Sequence, residues 1–429
     1  MRPLDDCAEI TSRLCADLAA EFGTPLFAYD ATSLTGALTE LRTALPPALE
    51  VFYSLKANPN LGVVATLAGA GARAEVSSLV ELRTALLAGV SPADVIFLGP
   101  GKSAEELAAC LDAGIYAVVV ESFAELADLN RMAAHRGRRQ RVLLRINPAT
   151  AARGSRLTMG GKPRQFGIDE HEVLAAGDLP ARHPALDLAG VHAYLGTRIL
   201  DAADVVANTR QVLDLARRVA AATGIALDAV DVGGGLGVAY FPGEHDPDLD
   251  VLRAGLADAI AEFRRDHPAT RLLLESGRYL TARAGLYLVG VRYVKTSMGQ
   301  RFAVTDGGTH HHMAAVGIGS FVKRSFPTQL VGRDATGPTG PWQLTGPLCT
   351  PNDTVAKDAE LPELARGDLL AIGRSGAYGP TASPGLFLSH GFPAEVLVRD
   401  GVAHLVRERD APEELLGKQR LPTHLQERI

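Results

Sequence analysis

From Tyr53 onward the chain alternates short apolar runs with amphipathic stretches of helical period, and no other feature restricts its fold so strongly. "VFYSLKA" precedes "LGVVATLAGAG", "ARAEVSS" precedes "LVELRTALLAG", "DVIFLGP" precedes "SAEELAACLDAG", and "YAVVVES" leads into "FAELADLNRMAAHR". "RVLLRIN" is followed by a Gly/Arg-rich insertion around Gly154 to Gly161. Three more strand-like runs come after it, "LAGVHAYL", "LDAVDVGGG" and "RLLLESG". Several helices open on Ser or Asp and close on Gly, as capping requires. Eight such units over roughly 230 residues fit a closed (β/α)8 barrel of the TIM type. A doubly wound open sheet is the structural alternative, but it needs a reversal of strand order that no segment marks.

After about Ala282 the texture changes to short β-type runs separated by Gly and Pro, such as "GLYLVGVRYVKT", "RFAVTDGG", "GDLLAIG" and "AEVLVRDGVAHLV". The early run "PLFAYD", Pro25 to Asp30, is expected to join them. The predicted organisation is an α/β barrel over residues 31–282, with residues 1–30 and 283–429 together forming a C-terminal β domain.

Bulk composition narrows the function. With 47% hydrophobic and 21% charged residues the chain is that of an ordinary globular protein. A net charge of −6 with interspersed signs argues against nucleic-acid or membrane-surface partners. The amino terminus "MRPLDDCAEI" lacks an apolar core region, so it does not read as a secretory signal. Cys7, Cys15, Cys110 and Cys349 show no zinc spacing, which suits a reducing compartment. A cytoplasmic location is the expectation.

In a barrel of this type the active site lies at the carboxyl ends of the strands. Lys56 ends strand 1, Glu75 lies in strand 2, Arg145 to Asn147 end strand 5, and His192 with Tyr194 ends strand 6. Gly233-Gly234-Gly235 ends strand 7, and Glu275 with Arg278 ends strand 8. Only seven of the 43 basic residues are lysines, so one at a strand end is informative. A lysine on an apolar rim suits Schiff-base chemistry. A glycine run after a strand exposes N–H groups to a phosphate, although alone it equally describes a tight turn. A lysine, a phosphate cradle and a buried carboxylate together point to pyridoxal 5′-phosphate.

"YSLKANPN", "HAYLGT", "DVGGGLG", "ESGR", "GPLCTPND" and "SGAYG" occur in the order found in the fold-type III pyridoxal-phosphate decarboxylases. The chain resembles that group, which includes the diaminopimelate, ornithine and arginine decarboxylases. They pair a barrel with a β domain in the alanine racemase-like fold. The resemblance implies that Lys56 carries the cofactor and that Glu275 pairs with its pyridine nitrogen. It places Gly233 to Gly235, Gly277, Arg278, Thr197 and Tyr378 about the phosphate, with Tyr194 on the ring face. Cys349 resembles the cysteine that protonates the α-carbon after carbon dioxide leaves. Arg145, His192, Thr350, Asp353, His310 and His312 are the candidate substrate contacts. A head-to-tail homodimer with shared active sites is implied as well.

Three departures bear on the substrate. Tyr194 stands where the family has a ring-stacking histidine. Thr350 follows the cysteine where an acid usually grips a distal amine. No arginine occurs between Thr305 and Val322, where the diaminopimelate enzymes bind the distal carboxylate. The expected activity is therefore α-decarboxylation of an amino acid other than a simple basic one, or of an amino-acid conjugate, a carrier-tethered one included. A meso-diaminopimelate decarboxylase making L-lysine and a fold-type III racemase are the alternatives. Read as a strand, "HHH" would place His310 and His312 on one face. A metal needs a full ligand count, so hydrogen bonding at the substrate or a domain boundary is expected there, and no metal.

Overall fold

The computed structural model describes residues 3–150, 157–158, 163–316, 324–335 and 337–426. Two compact units divide the chain. One comprises Leu34–Ala239 and Gly243–Thr281; the other comprises Met1–Ser33, Tyr240–Pro242 and Ala282–Ile429.

The first unit is a closed barrel of eight parallel strands. In chain order they are β1 (Leu49–Ser54), β2 (Arg73–Val76), β3 (Val95–Phe97), β4 (Ala117–Val120), β5 (Gln140–Asn147), β6 (Leu186–His192), β7 (Ala229–Asp231) and β8 (Arg271–Ser276). Each pairs with the next, and β8 returns to β1 with Glu275 opposite Phe52. The strands are apolar almost without interruption because helices cover one face and the barrel interior fills the other. That interior packs Phe52, Ile96, Val119, Leu143, Ala189 and Leu273. The helix Ala202–Thr223 turns Val205, Val212, Leu213, Ala216 and Val219 inward. Side chains of Ser78, Ser103, Ser122, Asp201 and Asp248 accept N–H groups at their helix starts, as the sequence predicts.

The two ends of the barrel differ in kind. At the amino ends of the strands Arg271 pairs with Glu50 at 2.7 Å and Arg73 with Asp94 at 2.8 Å, all part-exposed. The carboxyl ends carry buried acids. The sixth strand, expected to run through Tyr194, stops at His192, and the chain there turns out of the sheet. The Gly/Arg-rich insertion lies outside the described residues except for the two-residue strand Leu157–Thr158, which pairs with Gly196–Thr197.

The second unit is a nine-stranded sheet organised by one long strand, Gly285–Ser297. Its first half pairs with Leu26–Asp30 on one side and Leu369–Ile372 on the other; its second half pairs with Gln300–Thr305. Leu26–Asp30 also lies parallel to Ala394–Arg399. Alternate residues make its core: Leu26 and Ala28, Leu286 and Leu288, Val396 and Val398. Three strands escaped the pattern reading, at Thr328–Val331, Gly340–Thr345 and Thr354–Leu361, as did the helix Ser12–Phe22.

Candidate active site

Lys56 sits in a single turn, Leu55–Ala57, at the end of β1. Tyr53 locks that turn by donating its hydroxyl to the Asn58 carbonyl at 2.6 Å, and Asn60 caps the helix that follows. The lysine side chain is 39% exposed and its Nζ lies 2.9 Å from Glu75 Oε2 and 3.8 Å from Glu275 Oε2. The Tyr194 ring centroid is 5.7 Å away. This ammonium is held between two buried carboxylates.

Behind Glu75 runs a short network. Ser77 donates its hydroxyl to Glu75 Oε1 at 3.0 Å and its N–H to Glu81 Oε2 at 2.7 Å. Burial pushes the Glu81 carboxyl up to about 7, outweighing the Ser77 hydrogen bond.

Glu275 is buried on the opposite side. Burial alone would raise its carboxyl, but Lys56, the His192 hydrogen bond and Arg145 outweigh it and hold it down at about 2. His192 Nε2 lies 2.8 Å from Glu275 Oε1. Asp231, on the neighbouring strand, is pushed up by burial and by the charge of Glu275, and accepts the Gly233 N–H at 2.9 Å. Of the two neighbouring carboxyls, Glu275 is thus favoured in its charged form and Asp231 disfavoured in it. His192, Asp231 and Glu275 place one ligand-type atom each within 4.8 Å of one another. Within that group the His192 ring nitrogen and a Glu275 oxygen are hydrogen-bonded to each other.

The glycine run follows β7, with φ of +71° at Gly233 and +108° at Gly235. A Cβ on Gly234 would lie 2.3 Å from the Glu275 carbonyl oxygen, and one on Gly235 would lie 2.1 Å from that of Gly196. No side chain fits at either position, so the backbone itself faces the rim. Gly277, beside Ala57, precedes the short helix that begins at Arg278.

A cavity of about 380 Å³ opens here. Lys56, Tyr194, Thr197 and Glu275 form its polar side, and Leu98, Pro100 and Phe166 its apolar side. The donor set fits pyridoxal phosphate. Glu275 Oε2 is a buried acceptor without a hydrogen-bond partner among the described residues, facing the amine of Lys56 at 3.8 Å. A protonated ring nitrogen would satisfy it.

The two expected substrate contacts on the barrel differ in their access to the cavity. His192 is fully buried behind Glu275. Arg145 lines the cavity, but its Nη1 donates to Glu121 Oε1 at 2.8 Å and its guanidinium lies 4.8 Å over Phe166. Ser77, Glu81, Asp231 and Glu121 were overlooked in the sequence. Glu121 closes "YAVVVES", so the strand-end rule that found Lys56 would have found it too.

The remaining expected site residues belong to the β unit. Cys349 is exposed in a loop that Asp353 closes from within. Asp353 is buried and accepts the Thr309 N–H at 2.7 Å and the Leu348 N–H at 2.8 Å, so it braces that loop and is not free for substrate. Thr350 lies in the same loop, where its carbonyl accepts the Asp353 N–H at 3.1 Å. Tyr378 is half-buried with φ +55°. The histidine run is a turn and not a strand. His312 is packed against Phe27, Tyr287 and Phe326 and lies 2.9 Å from Ser375 Oγ. His310 makes tilted ring contacts with His311 and His390, at centroid separations of 3.8 and 4.6 Å. Both are core residues, which corrects the expectation of substrate contact.

The barrel and its strand-end acids define a cofactor-dependent enzyme of the amine-handling kind. Residues 32–282 match the family "Pyridoxal-dependent decarboxylase, pyridoxal binding domain". The chain is 36% identical over 418 residues to the L-glutamyl-[BtrI acyl-carrier protein] decarboxylase of Niallia circulans, covering 96% of each. It is 32% identical over 420 residues to the diaminopimelate decarboxylase of Methanothermobacter thermautotrophicus, covering 96% of this chain and 95% of that one. Among solved structures, the diaminopimelate decarboxylase of Helicobacter pylori complexed with L-lysine superposes with a TM-score of 0.84 at 29% identity, over 96% of this chain and 99% of that one. The chain belongs to the pyridoxal-dependent decarboxylase family. It is a carboxy-lyase acting on an amino acid or amino-acid conjugate, and its cofactor is pyridoxal 5′-phosphate. No described helix is long and apolar enough to cross a membrane.

Proposed function

We propose that this protein decarboxylates an amino acid whose side-chain end is masked by conjugation, presented on a carrier. The observation that carries the reading is the cavity. Its two cations among the described residues are Lys56, needed for the cofactor, and Arg145, already paired with Glu121. Among the described lining residues no further cation stands ready for a free distal carboxylate. The missing arginine between Thr305 and Val322 points the same way, as does similarity to an enzyme named for a glutamyl carrier-protein substrate.

When bound, pyridoxal phosphate supplies the electron sink into which the bond from the α-carbon to its carboxylate breaks. Lys56 holds the cofactor through its amine. Glu275, kept ionised, holds a proton at the ring nitrogen, and His192 fixes the orientation of that carboxylate. Backbone N–H groups of Gly233 to Gly235 and Gly277, with Arg278 and Thr197, hold the phosphate. Tyr194 covers the ring face. Glu75 accepts a hydrogen bond from Lys56 Nζ and so orients it, and Ser77 holds Glu75 in place. Cys349 delivers a proton to the α-carbon. We assign it to the barrel of a partner copy, in a head-to-tail homodimer with shared sites.

Carbon dioxide release tests the reading. Cofactor-loaded protein should act on an L-glutamyl carrier-protein thioester, with Lys56→Ala as the blank. Faster release from meso-diaminopimelate would make it a lysine-pathway enzyme instead. Loss of Cα stereochemistry without carbon dioxide would make it a racemase.

A further inference from the structure

The pair of Arg145 and Glu121 extends beyond one salt bridge. Glu121 follows β4 and is 4% exposed. Its Oε1 accepts from Arg145 at 2.8 Å and from the Gly99 N–H at 2.9 Å, while Oε2 accepts the Gly167 N–H at 3.1 Å. A single carboxylate therefore clamps two loops whose Gly99 and Phe166 line the cavity. Lys102, almost fully buried, braces the first loop from behind, bonding the Gly99 carbonyl at 2.6 Å and pairing with Glu125 at 2.6 Å.

A guanidinium facing a low-dielectric cavity would ordinarily capture a carboxylate through two hydrogen bonds. Here Glu121 already occupies it, and Phe166 covers one face. A second carboxylate brought to Arg145 would meet the charge of Glu121 as well, a repulsive element of the kind that rejects a wrong ligand.

We propose that Glu121 is a specificity-determining positioning residue. By neutralising Arg145 and fixing the Gly99 and Gly167 loops, it makes the cavity discriminate against side chains ending in a free carboxylate and in favour of neutral amide or thioester ends. The inference deepens the function proposed above and rests on it for the reaction, while the charge argument concerns binding alone.

The test therefore reads binding without turnover. Glutarate and its monoamide glutaramate, which lack an amine, are titrated calorimetrically into cofactor-loaded protein. Glu121→Gln keeps the size and one acceptor oxygen but removes the charge. The ratio of glutarate to glutaramate affinity should rise about tenfold, the worth of one charge-assisted hydrogen bond. Adding Arg145→Met to that variant should abolish the gain. Arg145→Met alone leaves the Glu121 charge unpaired, so the ratio should not rise. An unaltered ratio in a Glu121→Gln protein that retains its cofactor absorbance would overturn the proposal. So would tighter binding of glutarate than of glutaramate by the wild-type protein, because Arg145 would then already serve the ligand. Should Glu121→Gln not hold cofactor, the wild-type preference between glutarate and glutaramate decides alone. Failure of carbon dioxide release from every glutamyl conjugate would sink the proposed reaction and leave this ratio still readable.

Discussion

His310 is buried, and neither of its ring nitrogens has a hydrogen-bond partner among the described residues. Burial, with the charges of His311 and His390, pushes it down to about 3 from 6.5. Burial also lowers His311 to about 4 and His312 to about 3. The unfolded chain therefore binds protons below pH 6.5 that the folded chain does not, so stability falls as pH drops through that window toward 3–4. Above it these groups contribute no slope. The midpoint of thermal unfolding should fall markedly between about pH 7.5 and 5.5, since each such histidine is protonated only on unfolding. His310→Phe keeps a ring in contact with His311 and His390 and removes one titrating group, so it should stabilise more at the lower pH. Parallel curves for variant and wild type would contradict this. At this scale the sequence pointed to Lys56 and Glu275, where chemistry restricts residue type, and both line one cavity. It was read poorly where polar residues serve packing. Asp353 and the histidines looked like site residues because their type suggests it, and only their neighbours reveal the bracing role.

Among the elements, the turn after β7 is the most constrained. The Gly234 backbone lies so close to β8 that an added methyl would meet the Glu275 carbonyl oxygen at 2.3 Å. Gly234→Ala must displace either the turn or Glu275, both on the cofactor rim. Cofactor affinity should fall at least about tenfold, in line with lost positioning, while far-ultraviolet dichroism stays unchanged. Unaltered binding would show that the turn is not the cradle. The same tightness explains the misread histidine strand. Gly307 and Gly308 approach Tyr287 and Asp353 so closely that no side chain fits. Asp306 anchors the chain there by accepting the Gly290 N–H at 2.9 Å. Alternation cannot signal such a stop, since it arises from contacts with residues far along the chain.

At the scale of the whole molecule, the proposed sharing of active sites makes a sharp prediction. Lys56→Ala and Cys349→Ala should each be inactive, yet a mixture allowed to exchange subunits should regain about a quarter of wild-type activity. Half the dimers then hold both lesions in one site and none in the other. No recovery, with exchange verified by mass, would place both residues in one subunit's site. The sequence by itself determined the architecture: eight strand-helix units, a trailing β region, and a lysine, a glycine turn and an acid at three strand ends. These follow from periodicity and backbone sterics, which act between near neighbours and leave a local imprint. The tertiary structure alone decided which charges remain available. Arg145 and Glu121 are 24 residues apart, as are Tyr287 and His311, and His192 reaches Glu275 across 83. Whether a charged group serves a ligand or a neighbour depends on distances of a few ångströms in a low-dielectric interior, and only the closed barrel sets those distances.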